Sequence, residues 1–142
     1  MTDPYFLQRF VDAQAPIYSD VRAELRSGRK ASHWMWFVFP QLRGLGHSAM
    51  AVKFAIVSLA EARAYLEHPL LGPRLRECTQ LVMQVEGRSI RSIFGAPDDL
   101  KLRSSMTLFA RATSDNQLFR DALDKYFAGD LDPHTMQRCM AS

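Results

Sequence analysis

Two stretches of the chain concentrate the residue types that can do chemistry. The first is Arg29-Lys30-Ala31-Ser32-His33-Trp34-Met35-Trp36-Phe37-Val38-Phe39-Pro40-Gln41. Cations and a hydroxyl stand directly before a dense aromatic block. Such a block can stack a flat ring on Trp34 or Trp36, with Gln41 at its end, while Lys30 and Ser32 meet an anion. If Ser32 caps a helix, the backbone donors of that helix N-terminus add to the same anion-binding geometry. His33 is the first candidate for acid or base work, because a polar ring at the head of an apolar helix needs a partner. The plainer alternative makes the aromatics core, Ser32 a cap, Lys30 a solvated charge and His33 a hydrogen-bonded core residue.

The second stretch is Asp98-Asp99-Leu100-Lys101-Leu102-Arg103-Ser104-Ser105, preceded by Gly95-Ala96-Pro97. Asp98 to Lys101 and Asp99 to Arg103 place acids toward a helix N-terminus and bases after them, an order that stabilises a helix by itself. The functional alternative uses Asp98 or Asp99 as a general base, or as an acceptor for a ribose-like diol. Lys101 and Arg103 would then hold an anion, and Ser104 and Ser105 would let a ligand or a backbone approach closely. Both functional readings require the two stretches to meet at one concavity.

Other chemistry is missing from the pattern. His33, His47, His68 and His134 form no pair at metal-ligand spacing with a nearby carboxylate, so no metal and no cofactor are expected. Gly44-Leu45-Gly46 is only a fragment of a dinucleotide fingerprint, and no serine sits between glycines as a nucleophile elbow would need. Cys78 and Cys139 make neither a redox motif nor a zinc site and suit a reduced, cytoplasmic setting.

The elements that must position these residues read as helices. With 142 residues, 47% of them hydrophobic and 23% charged, the chain is a single domain spanning 1–142 with enough length for its own core. No apolar run is long enough to cross a bilayer, and no secretory leader is expected at the start. Asp3 and Pro4 open a first helix; Ile17, Val21 and Leu25 mark a second that ends at Gly28. Residues 32–40 are expected as a buried helix capped by Ser32, with a loop from Leu42 to Ser48. Phe54 to Val57 is the one segment that could pair with it were it a strand. Ser58 and Glu61 form a capping box, Pro73 opens the next helix, and Ser89 to Phe94 make a short turn closed by Gly95. A longer helix starts at Pro97, Asp115 caps another, and Asp132-Pro133 begins the last. The expectation is an all-α domain of about eight helices with orthogonal, non-bundle packing.

At these stretches the sequence resembles the bacterial domain-of-unknown-function 1810 family, whose members are often mislabelled calpastatin. The matching segments are Leu7-Gln8-Arg9-Phe10, Lys30 through Gln41, Leu59 to Tyr65, Leu71-Gly72-Pro73-Arg74-Leu75 and Phe94 through Phe109. The resemblance implies a small, mostly helical domain and supplies no catalytic residue. Calpastatin-like inhibition does not fit, since such inhibitors are disordered repeats and this composition is that of a packed domain.

Charge guides the functional expectation. The net charge is +3, yet no carboxylate occurs between Glu24 and Glu61, a span holding Arg26, Arg29, Lys30, Arg43 and Lys53. That field favours a phosphate, a carboxylate or an acidic partner. The reading is a domain that binds a small anionic, phosphorylated or nucleotide-like ligand between the two stretches. One alternative is a protein-interaction module that holds an acidic protein partner on the basic face. Another is an enzyme resembling N-glycosidases of nucleotide or ADP-ribose derivatives. The modest net charge argues against nucleic acid.

Overall fold

The structure is a computed structural model; it describes residues 2–141, with side chains to Cys139. Its first helix, α1 (Gln8–Gln14), begins later than Pro4 suggests. Asp3 accepts the amides of Leu7 and Gln8 at 2.7 and 2.9 Å, and Phe6 turns at φ 51°, so residues 4–6 form a lead-in. In α2 (Tyr18–Ser27), Val21 and Leu25 face the core, and Gly28 takes the left-handed conformation that ends it.

Residues 32–40 depart from expectation. Only α3 (Met35–Val38) is helical, and Ser32 does not cap it. The Ser32 hydroxyl and amide instead donate to Glu24 at 2.5 and 3.0 Å. With Glu24 claiming those donors and Pro40 barring continuation, one turn is all that forms. The loop after it contains a further short helix, α4 (Ala49–Lys53), capped by the Ser48 hydroxyl. Leu42 and Ile56 form a parallel bridge, closed by Ile56 N–H to Gln41 O (2.9 Å) and Arg43 N–H to Ile56 O (2.7 Å). The bridge thus uses the 54–57 segment but pairs it with Leu42, the start of the expected loop, and not with residues 32–40.

The capping box opens α5 (Leu59–Glu67): Ser58 accepts the Glu61 amide, while Glu61 reaches back to the Val57 amide at 3.0 Å. Glu61 also pairs with Arg9 at 3.0 Å in a nearly closed environment. His68 Nδ1 accepts the amides of Leu70 and Leu71, so α6 (Leu71–Met83) starts two residues before Pro73. Gly72 lies there against the Leu66 carbonyl, where a β-carbon has no room. Then follow α7 (Ile90–Phe94), capped by Ser89, and α8 (Asp98–Ala112). For α9 (Gln117–Phe127) the N-cap is Asn116, and it makes no side-chain cap; Asp115, expected there, points elsewhere. Asp132 accepts the Thr135 amide at 2.9 Å and starts α10 (Pro133–Ala141), as its pairing with Pro133 suggests.

Among the described residues ten helices form an all-α domain around α8, which α5, α7, α9 and α10 pack against. Its burial runs from Leu102 to Ala112 with little interruption, and small residues such as Ser105 and Ala112 allow close approach from several sides. Two aromatic chains fill the interior. Phe37, Phe54, Phe10, Tyr65, Phe109 and Phe119 form one, and Trp34, Phe39 and Phe94 the other. Among the described residues no helix is long and apolar enough to cross a membrane.

Candidate functional site

The two chemistry-bearing stretches do meet. Lys30 Nζ lies 2.9 Å from Asp98 Oδ2, and Lys101 Nζ lies 3.4 Å from Asp98 Oδ1 and 5.8 Å from the Trp36 ring. They meet by packing. The Lys30 side chain is 6% exposed, also bonds the Ser32 carbonyl at 2.6 Å, and covers Trp34 at 5.0 Å. Trp34 itself is 1% exposed and donates its indole N–H to Glu24 at 3.0 Å. Glu24 is the hub of this corner. Burial alone would raise its pKa, but donors from the Ser32 hydroxyl, the Ala31 amide, the Trp34 indole and the Ser32 amide outweigh that and hold it below the ordinary value.

The remaining residues of the two stretches spread across core and surface. His33 is exposed, so it does not head a buried helix, and Trp36 and Gln41 are half-buried. Asp99 is half-buried, and its Oδ1 has no hydrogen-bond partner among the described residues. Arg103 turns toward α10, 3.4 Å from Asp132. Ser104 and Ser105 are buried within α8, where Ser104 donates to the Leu100 carbonyl at 3.3 Å. A small opening on the Gln41 side of Trp36, lined also by Gly44 and Phe54, measures about 20 Å³. That is space for about one water.

A much larger cleft, about 780 Å³, lies across the molecule, where α5 and α6 face the loop between α8 and α9. This is within the usual range for a small-molecule site. Four arginines line it, Arg63 from α5, Arg76 from α6, Arg111 from the end of α8 and Arg120 from the start of α9. Its carboxylates are Glu67 and Asp115, so cations outnumber anions by two. The loop Thr113-Ser114-Asp115-Asn116 forms one wall, Leu66 and Leu131 supply apolar surface, and the buried Ala110 and Ala112 lie behind it.

Two of the arginines are held in place and two are not. Arg63 Nε donates to the Ala112 carbonyl at 3.2 Å. Arg76 donates to the Asp115 carbonyl at 3.0 Å, lies 5.0 Å from the Phe119 ring centre and is 3.7 Å from the Asp115 carboxylate. That carboxylate is 88% exposed, so the pair is loose and solvated. Arg111 and Arg120 are exposed, and their side chains make no hydrogen bond or ion pair among the described residues. Asn116 donates its carboxamide N–H to the Ala110 carbonyl at 2.8 Å, turning away from the helix it precedes. The first amides of α9 are left without a side-chain cap at the cleft wall.

Sequence reasoning missed this cleft because its arginines come from four helices, at separations that make no motif. The local signal was the run of short polar residues from Thr113 to Asn116 with an arginine on either side.

Comparison with known proteins agrees with the fold. The family described as "Protein of unknown function (DUF1810)" matches residues 4–139. A solved structure of the conserved hypothetical protein Rv1873 from Mycobacterium tuberculosis is 64% identical, with a TM-score of 0.98; the match covers 99% of this chain and 100% of that one. No curated protein matches the chain.

Proposed function

The chain belongs to the DUF1810 family, whose description states no activity, and from the geometry we propose that it binds a small anionic, phosphorylated ligand in the arginine cleft. The observation that carries this reading is the convergence of Arg63, Arg76, Arg111 and Arg120 on one concavity of about 780 Å³. Four like charges facing only two carboxylates repel, and an incoming anion relieves that repulsion. Guanidinium groups are the side chains best shaped for phosphate, through paired N–H donors in a planar fork. Two of the forks are anchored by loop carbonyls, which lowers the ordering cost on binding.

Relative to the sequence expectation, the ligand class is kept and the place is moved. Near Trp36 the opening has about 20 Å³, and Lys30 and Lys101 already share the Asp98 carboxylate, so the larger cleft is the better candidate. The test is calorimetric titration of inorganic pyrophosphate into wild type and into Arg111→Ala, Arg120→Ala and the double variant. Neither side chain makes an internal hydrogen bond, so all three variants should fold normally. Each loss should weaken binding by about tenfold or more, the worth of a charge-assisted hydrogen bond. Equal affinity in wild type and the double variant would refute the assignment.

A second reading, the capture of an acidic protein partner, is favoured by a separate observation. Arg26, Arg29 and Arg43 are all exposed, and none forms an ion pair among the described residues. Charge reversal at Arg26 and Arg29 would weaken such an interaction and leave pyrophosphate binding unchanged.

A further inference from the structure

The arginine cleft has a second chemistry that a bare phosphate would not use. Leu131 stands at it with 43% of its surface exposed, beside four guanidinium groups. An exposed leucine is ordinary; one fixed in place inside a cationic cleft is less so. The backbone on either side is pinned, by Asp130 N–H to the Phe127 carbonyl at 2.9 Å and by Asp132 N–H to Thr107 Oγ1 at 3.0 Å. Leu66, half-buried, adds further apolar surface to the same cleft. The cleft therefore offers cations for one end of a ligand and a preformed apolar surface for the other.

The charge count narrows the anionic end. Four forks face two carboxylates, so a ligand with at least two negative charges is needed to neutralise the excess. A phosphate monoester has three terminal oxygens, fewer than one for each of the four guanidinium groups, whereas a diphosphate ester has five. A diphosphate supplies enough, and a volume of about 780 Å³ leaves room for an attached organic body.

Resting on the reading above, we infer that the ligand is an organic diphosphate of the nucleoside diphosphate type. Its diphosphate lies on Arg63, Arg76, Arg111 and Arg120, and its flat, weakly polar body lies against Leu131 and Leu66. Asp115 is the internal counter-ion that the diphosphate displaces from Arg76.

The experiment compares ADP, AMP and inorganic pyrophosphate by calorimetry on wild type, Leu131→Ser and Asp115→Asn. On wild type, ADP should bind about tenfold more tightly than pyrophosphate, from burial of the base and ribose on apolar surface, and more tightly than AMP. Leu131→Ser should remove most of that advantage and leave pyrophosphate affinity unchanged. Asp115→Asn should strengthen ADP and pyrophosphate alike. Melting curves check that both variants fold, which is expected because both side chains are exposed. The inference is overturned if ADP binds no better than pyrophosphate, if AMP equals ADP, or if Leu131→Ser weakens ADP and pyrophosphate equally. Any of those outcomes with intact, arginine-dependent pyrophosphate binding leaves the broader anion reading standing; loss of pyrophosphate binding altogether removes both.

Discussion

Replacing Lys30 by Met separates a structural lysine from a ligand-binding one. Met keeps much of the aliphatic stem and deletes the ammonium. That ammonium bonds Asp98 at 2.9 Å and the Ser32 carbonyl at 2.6 Å, and sits 5.0 Å from the Trp34 ring. Charge-assisted hydrogen bonds contribute about 1.5–3 kcal/mol each, and the contact with the indole about 0.5–1 kcal/mol. Against this, the variant no longer desolvates an ammonium, and Asp98 keeps Lys101 at 3.4 Å. Breaking a fully buried pair costs about 3–5 kcal/mol, and Asp98 is only partly enclosed, so the expected loss is about 2–3 kcal/mol. For a domain of this length that lowers Tm by about 6–12 °C. Urea unfolding followed by tryptophan fluorescence measures the loss, and pyrophosphate titration on the same sample shows whether binding is kept. A double cycle with Asp98→Asn should show coupling above about 1 kcal/mol, as expected for residues in contact. A loss below about 0.5 kcal/mol, the usual surface value, accompanied by weaker anion binding would refute the reasoning and return Lys30 to a ligand site.

Three more outcomes follow from single contacts. Glu24→Gln should cost about 1–2 kcal/mol at neutral pH, because the amide cannot accept all four donors. The Glu24 carboxyl is held below its ordinary pKa of 4.5, so its contribution is complete above that pH and lost as pH falls through the folded value. The gap in Tm between wild type and variant should therefore narrow below about pH 4.5, which a melting series across pH measures. Gly72→Ala should destabilise by about 2–3 kcal/mol, since the new methyl group meets the backbone carbonyl of Leu66, and should weaken pyrophosphate binding by moving the wall that carries Leu66 and Glu67. Burial pushes the Cys78 thiol up to about 12, so alkylation at neutral pH should proceed only through opening of the fold and accelerate with urea in step with unfolding.

Much of the architecture was legible from local rules. Ser58 with Glu61, Gly28, Ser89 and Asp132 with Pro133 each act within a few residues, and each marks its helix boundary in the structure. The misread boundaries are those set from a distance. Ser32 has every local property of a cap, yet Glu24, eight residues earlier, takes its donors. Asp115 likewise looks like a cap, but the N-cap position of α9 falls one residue later, at Asn116, whose carboxamide bonds the Ala110 carbonyl of α8. The aromatic richness of 34–39 was visible, and its use as packing depended on neighbours such as Phe54 and Phe94 that no spacing rule connects. The same limit hid the arginine cleft, whose members are neighbours only after four helices have docked.

The joint between α8 and α10 bears on how the chain is made. Arg103 and Thr107 on the central helix find Asp132 only when residues near the C-terminal end of the described chain are in place, and Thr135 completes the set. During synthesis, the Arg103 guanidinium must therefore wait for its carboxylate until that segment has left the ribosome, while the Thr107 hydroxyl already donates to the Arg103 carbonyl at 2.8 Å. The centre of the fold is completed by the last of the described helices, so its native packing is a late event rather than one that advances residue by residue.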